Sequence, residues 1–342
     1  MQRHLPENDL HVQARRDGRS NQDCRVRPPG HTSVVTPSSD PSGATRLSRR
    51  GFLAGAGLLA AGAGTAALGV NEGVLPGRSW LYRHFGPDGV DGVVPQVTPG
   101  RTVSGSFVSD ARLGQRCGWT IAFPPGEVRH PLPVAVVLHG RGNNHASAFS
   151  RGYLGLDRFL AASVHAGGAP FALASVDGGE TYWHARDNGE DAGAMVLDEF
   201  LPLLADRGLD TGRVGFLGWS MGGYGALVLA ARLGRNRTAA VAAESPALWH
   251  KFEDSTPGAF DDAADFADAT AFGRQHALDG IPVRVDCGEA DPFYAAVRDY
   301  VHGFEDPPAG GFQPGGHQPG YWRRMAPHQL QFLARALSPT TD

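Results

Sequence analysis

The chain has 342 residues, 41% apolar and 19% charged, with 47 Gly, 25 Pro and 3 Cys, a balance that excludes a disordered chain, a collagen-like repeat and a disulfide scaffold. The formal net charge of −4 is unevenly spread: residues 1–50 carry 9 Arg against 5 acidic residues, and the remainder carries 22 basic against 30 acidic residues. The body is therefore acidic, and no nucleic-acid surface is expected on it.

Residues 1–47 are polar, rich in Arg, Pro, Ser and Asp, and lack any period of 2 or 3.6, the pattern of a disordered leader. Ser48-Arg49-Arg50-Gly51-Phe52-Leu53 then opens an uncharged stretch that ends at Val70. Paired arginines ahead of a mildly apolar segment look like a twin-arginine export signal over 48–70. Such a signal implies the twin-arginine (Tat) translocation machinery as a partner and an extracellular or cell-envelope location. The alternative is an N-terminal membrane anchor, for which the stretch is long enough but which its six glycines weaken. Within it, Gly55-Ala56-Gly57-Leu58-Leu59-Ala60 fits a dinucleotide fingerprint, yet no strand precedes it to deliver the backbone to a pyrophosphate, so no nucleotide site is expected. Residues 71–100 are expected to be a linker, and 101–342 the folded domain.

In that domain, β-rich apolar runs at 118–123, 134–138, 171–176, 214–217, 239–243 and 283–287 alternate with segments of helical period at 156–165, 192–204, 224–233 and 329–337. Strands apolar on both faces and separated by helices predict an α/β fold with a mostly parallel central sheet covered on both sides. Ligands bind such sheets at the carboxyl ends of the strands. Chemistry is therefore sought just after each strand. Cys117 and Cys287 fall in strand-like runs and are expected as buried thiols; no C-x-x-C or Cys/His zinc spacing occurs.

After the 214–217 run comes Gly218-Trp219-Ser220-Met221-Gly222, followed by a helical segment. A strand, a sharp turn and a helix are what hold a nucleophilic serine in a strained, exposed conformation, and the glycines leave room for close packing. A serine hydroxyl needs a base, and the base an orienting carboxylate. Asp291 follows the penultimate strand and His317 comes 26 residues later, after Gly315-Gly316. Ser220, Asp291 and His317 are therefore the candidate catalytic residues. Glu289 and Glu244 are the rival acids, and His328, within the last helix, is the rival base. The oxyanion hole is expected from the backbone N–H groups of Met221 and Arg141, the latter in the turn after the 134–138 run. His139, Trp219 and Asp177, at strand ends, are the candidate substrate-binding residues. His139 with His145 lacks a third ligand or an H-E-x-x-H pattern, so no metal site is expected.

These residues carry a resemblance. Gly218-Trp219-Ser220-Met221-Gly222-Gly223-Tyr224-Gly225, Gly288-x-x-Asp291-x-Phe293 and Gly316-His317 with Trp322 are similar to the putative esterase family of the α/β-hydrolase superfamily, which includes esterase D, enterochelin-type esterases and the antigen 85 mycolyltransferases. The resemblance covers roughly 134–337. It implies an α/β-hydrolase fold, a triad on Ser220, Asp291 and His317, no cofactor, and a small-molecule or lipid ester as substrate. It favours hydrolysis of carboxylic esters through an acyl-enzyme. The alternatives are antigen 85-like acyl transfer, which differs only in what attacks the acyl-enzyme, and a non-catalytic binding protein on the same fold. Antigen 85 enzymes use a Glu as the acid and lack the Met-Gly-Gly-Tyr-Gly run, which separates this chain from them.

Segment 252–268 holds Glu253, Asp254, Asp261, Asp262, Asp265 and Asp268 with Phe260 and Phe266. One reading is a solvated helix with its apolar face on the body. The other is a lid whose phenylalanines wall the acyl site and whose carboxylates disfavour anionic substrates.

Overall fold

The structure, a computed structural model, describes residues 89–127 and 131–338. The leader and the 48–70 signal lie outside the described residues. Among the described residues no helix is long and apolar enough to cross a membrane.

The β-rich runs form eight strands: β1 Thr102–Ser109, β2 Gln115–Ala122, β3 Leu132–Leu138, β4 Ala172–Val176, β5 Leu209–Trp219, β6 Thr238–Glu244, β7 Val283–Gly288 and β8 Ala309–Gln313. They make one sheet in the order β1-β2-β4-β3-β5-β6-β7-β8. Pairing is antiparallel for β1 with β2 and for β2 with β4, and parallel from β4 to β8. The helices are α1 Leu156–His165, a composite α2 over 192–206 with a π-helical middle at Met195–Phe200, α3 Met221–Leu233, α4 Ala263–Ala269, α5 Tyr294–His302 and α6 Pro319–Leu337.

Period-two alternation divides the buried side chains between two layers. Val134, Val136 and Leu138 of β3 pack with α2, α3 and Tyr300 of α5 on one face, whereas Ala135 and Val137 pack with α1 and α6 on the other. Both faces of the parallel strands are thus covered, which is why those strands read as continuous apolar runs.

From β3 the chain moves outward to β4, then returns past β3 to β5. The loops after β3 and β5 consequently diverge, and the crevice between them is where an open α/β sheet binds its ligand. Residues 139–143 and Ser220 lie there.

Of the expected 71–100 linker, residues 71–88 lie outside the described residues, and residues 89–100 are not a free linker. Residues 89–100 lie on the domain: Val94 is buried among Leu154, Leu156 and Phe159, in a space left by Gly155, whose Cβ would stand 2.6 Å from Val94. A single apolar residue docked in the α1 layer had no periodic signal to announce it.

Candidate active site

Ser220 sits between β5 and α3 with φ 56 and ψ −120, a conformation that a non-glycine residue holds only when its surroundings enforce it. Here they do. The Ser220 N–H donates to Glu244 O at 2.9 Å, and its carbonyl accepts the N–H of Tyr224 at 3.1 Å and of Ala247 at 3.0 Å. The neighbouring glycines are required sterically: a Cβ on Gly218 would meet Gly222 O at 2.0 Å, and one on Gly223 would meet Glu244 O at 2.8 Å. The turn holds the hydroxyl half-exposed above the sheet.

Ser220 Oγ lies 2.9 Å from His317 Nε2. His317 Nδ1 lies 2.8 Å from Asp291 Oδ2. Asp291 is acceptor-only when ionised, so Nδ1 carries the proton and Nε2 offers its lone pair to the serine hydroxyl. The Asp291 side chain is fully buried, and its other oxygen accepts the Phe293 N–H at 2.9 Å. Two rings meet the imidazole edge to face: Trp322 at 5.0 Å and Phe293 at 5.2 Å between centroids. They fix its plane with apolar surface, so no other polar group competes for Nε2 from those sides. Trp322 is held in turn by donating from Nε1 to Ser245 Oγ at 3.1 Å.

The rival acids and base lie elsewhere. Glu244 ends β6 but is buried behind the serine turn, where its Oε2 accepts from Gln329 Nε2; burial and the nearby Asp286 push its carboxyl well above the usual range. Glu289 N–H pairs with Gln313 O at 2.9 Å, and it is Asp291 that His317 engages. His328 is exposed on α6, in a surface groove with Phe159, Ser163 and Gln331.

Met221 is the first residue of α3, so its N–H has no intrahelical acceptor and lies at the positive end of the helix dipole. Arg141 lies in the turn after β3. That turn packs on the first turn of α3, since a Cβ on Gly222 would meet Leu138 O at 1.9 Å and His139 O at 2.8 Å. The two expected oxyanion donors therefore come from adjoining backbone. The Arg141 side chain reaches outward to Glu180, with Nε 3.1 Å from Oε2 and both groups exposed.

The three residues expected to touch substrate stand behind this turn. His139 is fully buried; its Nδ1–H donates to Gly140 O at 2.9 Å and its Nε2 accepts from the Gly178 N–H at 3.0 Å. Burial pulls its pKa down, consistent with a neutral ring in that double role. Asp177 accepts the N–H groups of Gly118 at 3.0 Å and His145 at 2.6 Å. Trp219 is buried and donates from Nε1 to Asn143 Oδ1 at 3.2 Å, an oxygen that also accepts from Tyr153 OH at 3.0 Å. All three brace the 139–147 loop. A strand-end position puts a residue on the crevice side of the sheet but does not tell which way its side chain turns.

The acidic segment 252–268 also differs from the lid reading. Phe260 is buried against Tyr182, Tyr224 and Trp249. Three of the segment's six carboxylates are engaged: Asp261 with Arg186 at 2.6 Å, Asp265 with His184 at 3.2 Å, and Asp262 as the N-cap of α4. The aromatic wall that borders His317 runs instead through Phe293 and Trp249, whose rings are 5.3 Å apart. Cys117 and Cys287 are both buried.

Residues 111–325 match the family described as "Putative esterase". The chain belongs to this esterase family. It is a carboxylic ester hydrolase on an α/β-hydrolase fold. A ferulic acid esterase is similar in structure, with a TM-score of 0.56 at 21% identity over 70% of this chain and 100% of that one. A fluorophosphonate-binding serine hydrolase of Staphylococcus aureus gives 0.55 at 18% identity over 69% of this chain and 99% of its own. An S-formylglutathione hydrolase from Agrobacterium tumefaciens gives 0.53 at 18% identity over 72% and 100%. Identities this low establish the shared fold. No curated protein matches this esterase by sequence.

Proposed function

We propose that this esterase hydrolyses carboxylic esters through a Ser220–His317–Asp291 triad and an acyl-enzyme on Ser220. The observation that carries the reading is the unbroken contact chain from Ser220 Oγ to His317 Nε2 at 2.9 Å and from His317 Nδ1 to Asp291 Oδ2 at 2.8 Å. As Oγ attacks the carbonyl carbon, Nε2 takes its proton; the imidazolium, stabilised by Asp291, then gives that proton to the departing alcohol oxygen. Water repeats the sequence against the acyl carbon, releasing the acid and returning the proton to Ser220. The negative charge on the carbonyl oxygen in each tetrahedral intermediate is assigned to the N–H groups of Met221 and Arg141.

The Met221-Gly222-Gly223-Tyr224-Gly225 run after Ser220 and an Asp, not a Glu, at the acid position set the chain apart from the acyl-transferring antigen 85 enzymes and support water, and not a bound alcohol, as the second acceptor. An acyltransferase would share the first half-reaction alone. A panel of nitrophenyl esters, with products analysed in the presence of trehalose or diacylglycerol, separates the two: free acid in every case supports hydrolysis, whereas acylated acceptor overturns it. We further infer that the Arg49-Arg50 pair and the uncharged 51–70 stretch direct the esterase out of the cytoplasm by the twin-arginine route, an inference that rests on sequence.

A further inference from the structure

The turn that carries His317 is short and glycine-rich, Pro314-Gly315-Gly316-His317-Gln318, and Gly315 has φ 150. Such a turn does not fix its own conformation. On one side it is tied to the end of β7: Ala290 N–H donates to Gly315 O at 2.8 Å. On the other side it is tied to the segment before β1. Arg324 in the first turns of α6 donates from Nη1 to Val90 O at 2.8 Å and from Nη2 to Pro314 O, so one planar guanidinium bridges the two backbones. Gly92 N–H donates to Gly320 O at 2.8 Å.

The packing along this contact is close from both directions. A Cβ on Gly92 would stand 2.1 Å from Arg324 N, and one on Gly320 would stand 2.0 Å from Asp91 Oδ1. The segment is itself anchored further along, by Val94 in the α1 layer and by Arg158 donating to Val97 O at 2.6 Å. It lies entirely outside the 111–325 region that defines the family match, so the serine, acid and base are all present without it.

We propose that residues 89–97 form a positioning strap for the catalytic base: through Arg324 they hold the 314–318 turn, and through Gly92 the first turn of α6 that follows it, and thereby His317, against Ser220. This rests on the reading of His317 as general base. Lifting the strap leaves the core and the serine turn in place but lets the imidazole drift from Oγ, and a misplacement of about 1 Å at a reacting group can cost on the order of 100-fold.

The test uses the full chain with Gly92→Ala, Arg324→Gln and Arg324→Lys, each compared with wild type and with His317→Ala. Active sites are titrated with a fluorophosphonate, and kcat and KM for a short nitrophenyl ester are expressed per titrated site. The expected result is a kcat lowered roughly 10- to 100-fold in Gly92→Ala and Arg324→Gln with KM nearly unchanged, and partial recovery in Arg324→Lys, which can bond one of the two carbonyls. Arg324→Gln adds no bulk and serves if Gly92→Ala fails to fold. A lower titrated fraction or lower melting temperature with unchanged kcat per site would mean that the segment only adds stability, and would overturn the proposal. If His317→Ala itself keeps full turnover, the base assignment fails and the strap proposal falls with it; if His317→Ala is inactive while all strap variants keep full turnover, the strap alone is overturned.

Discussion

The Cα of Gly222 faces the carbonyl oxygen of Leu138 so closely that a Cβ would stand 1.9 Å from it. This contact seats the start of α3 on the end of β3, and so places the Met221 N–H beside the turn that holds Arg141. Backbone meets backbone, so neither side can swing away as a flexible side chain would. Gly222→Ala is expected to cost about 3 kcal/mol or more and to remove most fluorophosphonate-reactive sites, as read by urea unfolding and active-site titration.

Asp291→Asn should lower kcat by about 10,000-fold with the fold intact, because an amide can present its donor to Nδ1 and favour the wrong tautomer. Glu289→Gln and Glu244→Gln should each keep most of wild-type kcat. Steady-state kinetics on one nitrophenyl ester checks all three, and a large loss in either Glu variant with activity retained in Asp291→Asn would reassign the acid.

Stability should fall as pH rises above the usual carboxylate range. Burial, with Asp286 nearby, raises the pKa of Glu244 well above its ordinary value of 4.5, so the folded protein keeps a proton there that the unfolded chain releases. With more protons bound in the folded state, unfolding free energy decreases with pH from about 4.5 until the folded pKa is passed. Glu244→Gln removes this slope while keeping an acceptor for Gln329. Asp286, whose pKa burial also raises, remains in both proteins, so the difference reports the Glu244 proton together with its coupling to Asp286. Urea titrations at pH 5 and 8 should show the variant gaining on wild type between the two.

Phe260→Ala should act on stability, at about 3 kcal/mol, with little change in which acyl chain is preferred. Trp249→Ala and Phe293→Ala, which alter the wall beside His317, should shift that preference. The ratio of kcat/KM values across nitrophenyl esters of increasing chain length distinguishes the two behaviours.

Replacing Arg49 and Arg50 together by Lys should strand the esterase inside the cell. Fractionation with immunodetection checks this, and unchanged export would reject the twin-arginine route.

The parallel strands and the residues of the Ser220–His317–Asp291 contact chain were legible because each depends on local pattern: apolar runs buried on both faces, Ser220 and Asp291 shortly after two of them, and His317 after a Gly-Gly pair. Strand β1 was missed because its Thr-Val-Ser-Gly-Ser-Phe-Val-Ser sequence is mostly exposed at the sheet edge, and β8 because Ala-Gly-Gly-Phe-Gln carries almost no strand propensity. Helix α5 buries Ala296, Val297 and Tyr300 but follows the Asp291 turn so closely that it has no separate signal in the sequence. Helix α6 begins at Pro319, well before its clear helical period. The bracing roles of His139, Asp177 and Trp219 were not legible, since each depends on a bond to a residue 39, 32 or 76 positions away. The Arg324 bridge to Val90 spans 234 residues, beyond any periodicity.

The most direct measurement of the triad reading is peptide mapping by mass spectrometry after treatment with a fluorophosphonate, on wild type, Ser220→Ala and His317→Ala. One phosphonyl group should be found on Ser220 in wild type, none in Ser220→Ala, and labelling in His317→Ala should be slowed by orders of magnitude because Oγ has lost its base. Modification of another residue, or labelling of His317→Ala at the wild-type rate, would contradict the account.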